Sequence, residues 1–305
     1  MKSLLGKTKI GAQSAGRPPG VIELSAEGVI GAAVDLSTGS PVFAFAPLPS
    51  GALVPGIVEP NIRSAEMVAG AIRSALSGIS LRSRSLSVVL PDPSVRVFML
   101  DFDSFPSRSA EILPVLRLRM RKMVPFDVEH AGISYQVLSQ SGNAVRILAA
   151  ILPGPVLTEY ESAVRAAGYE PGAVLPSSLA ALEVIDSVEA VLTANLSPLT
   201  LTTSITNGSD LLLHRTLDLP DDPHERLAEI QRGIAVAAAY YEDTLGAPAR
   251  EIQYAGCYNS RDFAVWISSM ELNVVDLIQR PETGAITSLG HASIAGAAGA
   301  LAGAI

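Results

Sequence analysis

Twice along this chain, short β-prone runs joined by tight turns give way to an amphipathic helix. The first pass spans Val21 to Pro47, where apolar runs alternate with glycines and with Ser37-Thr38-Gly39-Ser40, and predicts two or three strands. A helix follows over Ser64 to Leu76: Met67, Val68, Ala71, Ile72 and Leu76 share one face, with Ser64 and Glu66 suited to its first turn. The second pass predicts strands at Ala190–Leu196, Leu199–Thr206 and Asp210–Leu217, with Asn207-Gly208 as the hairpin turn. Leu227, Ile230, Ile234, Ala237, Ala238, Tyr241 and Leu245 then form one stripe on a long helix, Pro223–Leu245. Such a chain is mixed α/β. At 305 residues it is also long enough for two lobes.

Between the two passes lies the most informative stretch, residues 87–138. Strands are predicted at Ser85–Leu90 and Val95–Leu100, then a helix over Ser109–Met123 that starts or bends at Pro114. Strands at Ile133–Leu138 and Val145–Leu152 flank a Ser-Gly-Asn turn, and a helix over Pro155–Ala167 closes at Gly168. The first of these helices carries Arg117, Arg119, Arg121 and Lys122 among Leu116, Leu118, Met120 and Met123, and leads into Pro125-Phe126-Asp127. Taken alone, such a helix reads as a solvated basic face; contact with an acidic partner or anionic lipid is the sharper reading. Its position before Pro125 and Phe126 favours a partner-holding surface, with Phe126 as a core anchor.

No reaction centre accompanies that surface. The single Cys257 rules out a disulfide framework or thiolate cluster and reads as a small buried residue, and the four histidines lack metal-ligand spacing. Asp101 and Asp103 alternate with Phe102, as on the exposed side of a strand, and not as an acid/base pair. A net charge of −8 argues against nonspecific nucleic-acid binding. The opening MKSLLGKTKIGAQSAGRPPG lacks the apolar core of a secretory signal, so a flexible leader and a cytoplasmic location are expected. Beyond a strand near Ile252–Ala255, a helix near Asp262–Met270 and a strand near Asn273–Leu277, the stretch Thr283–Ile305 has no charged residue and contains Gly299-x-x-x-Gly303. Its Ala, Gly, Ser and Thr insert weakly into lipid, so a small-residue helix packed inside the second lobe is expected.

Several motifs in order carry a resemblance: Leu48-Pro49-x-Gly51, Leu90-Pro91, Met123-Val124-Pro125-Phe126-Asp127, Tyr135-Gln136-Val137 and Glu229-Ile230-x-Arg232. Over residues 20–305 the chain resembles the PilM family of type IV pilus assembly proteins, actin-like relatives of the cell-division protein FtsA. The resemblance implies a two-lobed actin-like (ribonuclease H-like) α/β fold with an inserted α+β subdomain. The expected division is a leader at 1–19, a first lobe at 20–187 holding the insert at about 88–175, and a second lobe at 188–305. The implied partner is the cytoplasmic tail of a PilN-like inner-membrane protein, and the resemblance extends to pilus motor ATPases and twitching motility. The protein would then sit in the cytoplasm, peripheral to the inner membrane and attached only indirectly. Partner contact is expected at Arg117, Arg119, Arg121, Lys122, Pro125 and Phe126.

The resemblance also implies a place for ATP, between two hairpins of Asp-x-Gly type. In the first hairpin the acid is Glu23, the glycine is Ser25, and the family's lysine is Ile30. In the second, aligned on Thr200, the acid becomes Ala194 and the glycine Leu196, whose side chain would enter the phosphate space; Pro198 removes a donor. The glycine pair near the adenine survives only as Gly256. Glu23, Thr200, Glu229 and Gly256 are the expected remnants, so no cofactor and no catalysis are expected. Two other readings stay open: an actin-like ATP-binding protein or ATPase, and the cytoplasmic domain of a type II secretion platform protein.

Overall fold

The computed structural model describes residues 16–278 and 293–304; most of the expected leader lies outside them. The first sheet is a meander of β1 (Gly20–Leu24), β2 (Gly28–Val34) and β3 (Pro41–Pro47), extended by parallel β4 (Ser85–Leu90) and β8 (Glu170–Pro176). Its order is β3-β2-β1-β4-β8. The second sheet repeats this order as β11-β10-β9-β12-β13, from β9 (Ala190–Leu196), β10 (Thr200–Asn207), β11 (Asp210–Asp218), β12 (Glu251–Gly256) and β13 (Asn273–Asp276). Both are an antiparallel meander plus two parallel strands, as the repeated sequence pattern requires.

Alternation along β1 sends Ile22 and Leu24 to one side of the first sheet, where α1 (Ala65–Leu76) and α3 (Gly154–Ala166) cover them. Val21 and Glu23 point to the other side, toward α4 (Ser177–Ala181) and α7 (Ala295–Ala302). In the second sheet Leu192, Ala194, Leu196, Leu201 and Ile205 pack under α5 (Pro223–Leu245) and α6 (Ser260–Trp266). The insert is a small sheet, β5-β7-β6, made of β5 (Arg96–Phe102), β6 (Gly132–Ser141) and β7 (Ala144–Leu152), with α2 (Ser109–Met120) on one face.

The structure changes three expected boundaries. β4 and β8 are paired within the first sheet and α3 packs on α1, so the insert contracts from 88–175 to Arg96–Leu152. The helix α7 packs not in the second lobe but on α4, β1 and β2, so α7 belongs with the first lobe. Small residues permit that return: a Cβ at Gly299 would overlap the Ala180 carbonyl oxygen. Locally, Met67 faces solvent, because α1 buries Val68, Ala69, Ile72, Ala75 and Leu76 instead. The Ser64 side chain makes no cap bond; its backbone N–H goes to Ala52. Pro114 lies inside α2, which continues through it.

Candidate functional site

The two central hairpins close in the same way. In the first, the Ser25 N–H donates to the Gly28 carbonyl at 2.9 Å, and the Gly28 N–H returns to the Ser25 hydroxyl at 3.2 Å. In the second, the Ser197 N–H donates to the Thr200 carbonyl at 2.9 Å, and the Thr200 and Leu199 N–H groups donate to the Ser197 hydroxyl at 2.9 and 3.2 Å. Superposing these turns equates Ser25 with Ser197, Leu24 with Leu196 and Glu23 with Asn195. The alignment on Thr200 was therefore one residue out: the second acid position holds Asn195, and the glycine position holds Ser197. Leu196 does not enter the phosphate space. It is buried beneath α5, as Leu24 is beneath α1.

The expected nucleotide remnants have other work. Glu23 accepts from the Ser177 hydroxyl at 2.6 Å and from the Ala297 N–H, at the start of α7, at 2.7 Å. Burial pushes its pKa up to about 7, against the pull of both hydrogen bonds. Gly296 lets the helix approach, since a Cβ there would overlap a Glu23 carboxylate oxygen. A Cβ at Gly256 would overlap the Tyr254 hydroxyl and lie 2.7 Å from the Leu196 carbonyl oxygen, so this glycine serves the packing of β12 against β9. Thr200 is buried, with its hydroxyl 2.9 Å from that of Ser197, and Glu229 pairs with Arg232 along α5. Cys257 lies at the end of β12; burial pushes its thiol up to about 12, which leaves it protonated and unreactive near neutral pH.

Asp92, which the sequence did not single out, is another buried carboxylate. It sits in the single turn Asp92–Ser94 after β4 and accepts from the Ser178 N–H and hydroxyl at 3.0 and 2.9 Å. Its other oxygen accepts from Thr202 of β10 at 3.2 Å, which ties the first lobe to the second. Burial raises its pKa. Its one sequence signal was an acid between two prolines at a strand end.

In the insert, α2 buries Ile112, Leu116 and Met120 at a spacing of four. The four basic residues separate. Arg117 donates to the carbonyls of Val128 and Ala131 and so holds the loop after α2. Arg121 pairs with Glu129. Arg119 and Lys122 are exposed and make no ion pair among the described residues. With them, Leu118 (69% exposed), Met123 and Pro125 form an open cationic and apolar strip, while Phe126 packs against the insert's core. Arg117 and Phe126 therefore shape the surface, and Arg119, Lys122 and Pro125 present it.

No family model matches the sequence, and comparison with curated proteins finds no match. Solved structures do match. One chain of the PilM–PilN type IV pilus biogenesis complex superposes with a TM-score of 0.71 at 17% identity, over 93% of this chain and 98% of that one. A Bacteroides thetaiotaomicron protein with an actin-like ATPase fold and unknown function gives 0.50 at 10% identity, covering 97% and 99%. The cytoplasmic domain of EpsL, an inner-membrane component of the Vibrio cholerae type II secretion system, gives 0.49 at 13% identity, covering 88% and 90%. The chain thus has the expected two-lobed actin-like fold, similar over nearly its whole length to that of a chain in the PilM–PilN complex.

Proposed function

We propose that the protein is a non-enzymatic adaptor of a type IV pilus assembly platform. It holds the short cytoplasmic segment of a PilN-like inner-membrane protein on the insert and thereby stands at the cytoplasmic side of that membrane. The observation that carries the non-enzymatic part is the closure of both hairpin turns by Ser25 and Ser197, whose hydroxyls already take the N–H groups of Gly28, Leu199 and Thr200. In an actin-like site such N–H groups face the phosphates. The partner is supported by the fold shared with a chain of the PilM–PilN complex. Among the described residues no helix is long and apolar enough to cross a membrane, so the protein would reach the bilayer through this partner.

The strip of Leu118, Arg119, Lys122, Met123 and Pro125 supplies the contact, taking an extended segment that carries an acidic residue. The test is titration of a labelled peptide, covering the cytoplasmic residues of the PilN-like protein, into the full chain. Arg119→Glu with Lys122→Glu weakens binding roughly tenfold, and added salt does the same. Arg117→Ala instead destabilises the fold by about 2 kcal/mol, because two carbonyls lose a charged donor. Unchanged affinity in the Arg119/Lys122 variant would remove the strip from the interface.

A further inference from the structure

The first N–H groups of a helix need acceptors from outside it. In α7, Ser293 accepts from the Ala295 N–H at 3.2 Å, and Glu23, reaching across from β1, accepts from the Ala297 N–H at 2.7 Å. The helix itself carries no charge and meets the first sheet through small apolar residues: Ala297, Ala300 and Leu301 lie over Val21, Ile30 and Val89.

The electrostatics of this contact centre on Glu23. Of the elements packed on α7, β2, β4 and α4 bring no ionisable side chain, and β12 meets its start through Ala255. The turn Leu182–Val184 brings Glu183, which Arg17 meets at 3.4 Å. Glu23 makes no ion pair among the described residues, and the nearby Asp92 disfavours a charge on it further. A neutral carboxyl fits this place: its O–H can donate to the Ser177 oxygen at 2.6 Å while the other oxygen accepts from Ala297. An ionised one keeps both bonds but buries a charge in an apolar contact beside a second carboxylate. Water reaches that charge only if α7 lifts, because Gly296 lies so close that a Cβ there would stand 2.4 Å from a Glu23 oxygen.

We propose that Glu23 is a proton-controlled latch on α7: the neutral carboxyl holds the helix on the first lobe, and loss of the proton releases it in a local opening that leaves both sheets folded. Release uncovers the apolar face around Val21, Ile30 and Val89. Packing through alanine and glycine makes this opening cheaper than unfolding the lobe. The carboxyl titrates at 4.5 when solvated and at about 7 when docked, so opening grows about tenfold from pH 6 to 8 and then levels off.

Hydrogen–deuterium exchange on the full chain at pH 6 and 8, in low urea, tests the latch once protection is corrected for the intrinsic rate at each pH. The α7 amides are expected to exchange through an opening that costs less, and depends less on urea, than the one that frees β9 and β10. Their protection falls about tenfold from pH 6 to 8 in wild type and stays level in Glu23→Gln. If α7 shares the free energy and urea dependence of β9 and β10, there is no local opening and the proposal is overturned. A fall in Glu23→Gln that matches wild type would overturn it too. So would constant α7 protection in wild type, a result that needs no variant.

Discussion

Glu23 keeps a carboxylate at a strand end but turns it from the cleft to the helix that returns from the chain's far end. That reassignment has a pH signature. Its pKa is raised from 4.5 to about 7, so the native state binds this proton more tightly than the unfolded chain does. The stabilisation is complete below pH 4.5 and is lost as pH rises through about 7, a change of about 3 kcal/mol. Urea unfolding from pH 5 to 8 should show wild type losing stability relative to Glu23→Gln as pH rises. Parallel profiles would mean the carboxylate is not buried as described. The residue scale is also where the sequence was least legible. Around Thr193-Ala194-Asn195-Leu196-Ser197 nothing acidic and no glycine marks the turn, so the register became clear only from the Ser197–Thr200 hydrogen bonds.

The elements were more legible than their partners. The stripe on α5 and its end at Gly246, with φ of 73°, follow from periodicity and a glycine C-cap. The small-residue character of α7 also predicted close packing, but not which sheet it would meet, because local pattern carries no information on a contact with a strand near the other end of the chain. Gly299 makes this testable. Gly299→Ala drives a methyl into the Ala180 carbonyl and should cost about 1–3 kcal/mol. Gly70→Ala, in α1 with only the Arg73 guanidinium within reach at 3.9 Å, should gain up to about 1 kcal/mol. Thermal unfolding of the two variants should therefore move in opposite directions; equal shifts would place α7 elsewhere. The insert's helix and strands were legible too, but not that Arg117 and Arg121 would be consumed internally, since their partners Val128, Ala131 and Glu129 lie in a loop without periodicity.

At the scale of the molecule, two sheets with one strand order are locked by Asp92 to Thr202, by Arg96 to Asp218, and by a last helix that leaves the second lobe to pack on the first. These contacts between the lobes support the proposed adaptor reading. In the proposed adaptor, serine hydroxyls at the turns and α7 on Glu23 fill the place of a phosphate cradle from within. The direct measurement is thermal unfolding with and without saturating Mg·ATP. A ligand at a hundredfold excess over its dissociation constant adds about 2.7 kcal/mol of stability. An unchanged melting temperature is expected, whereas an upward shift that grows with ATP concentration would show that the turns still take a triphosphate.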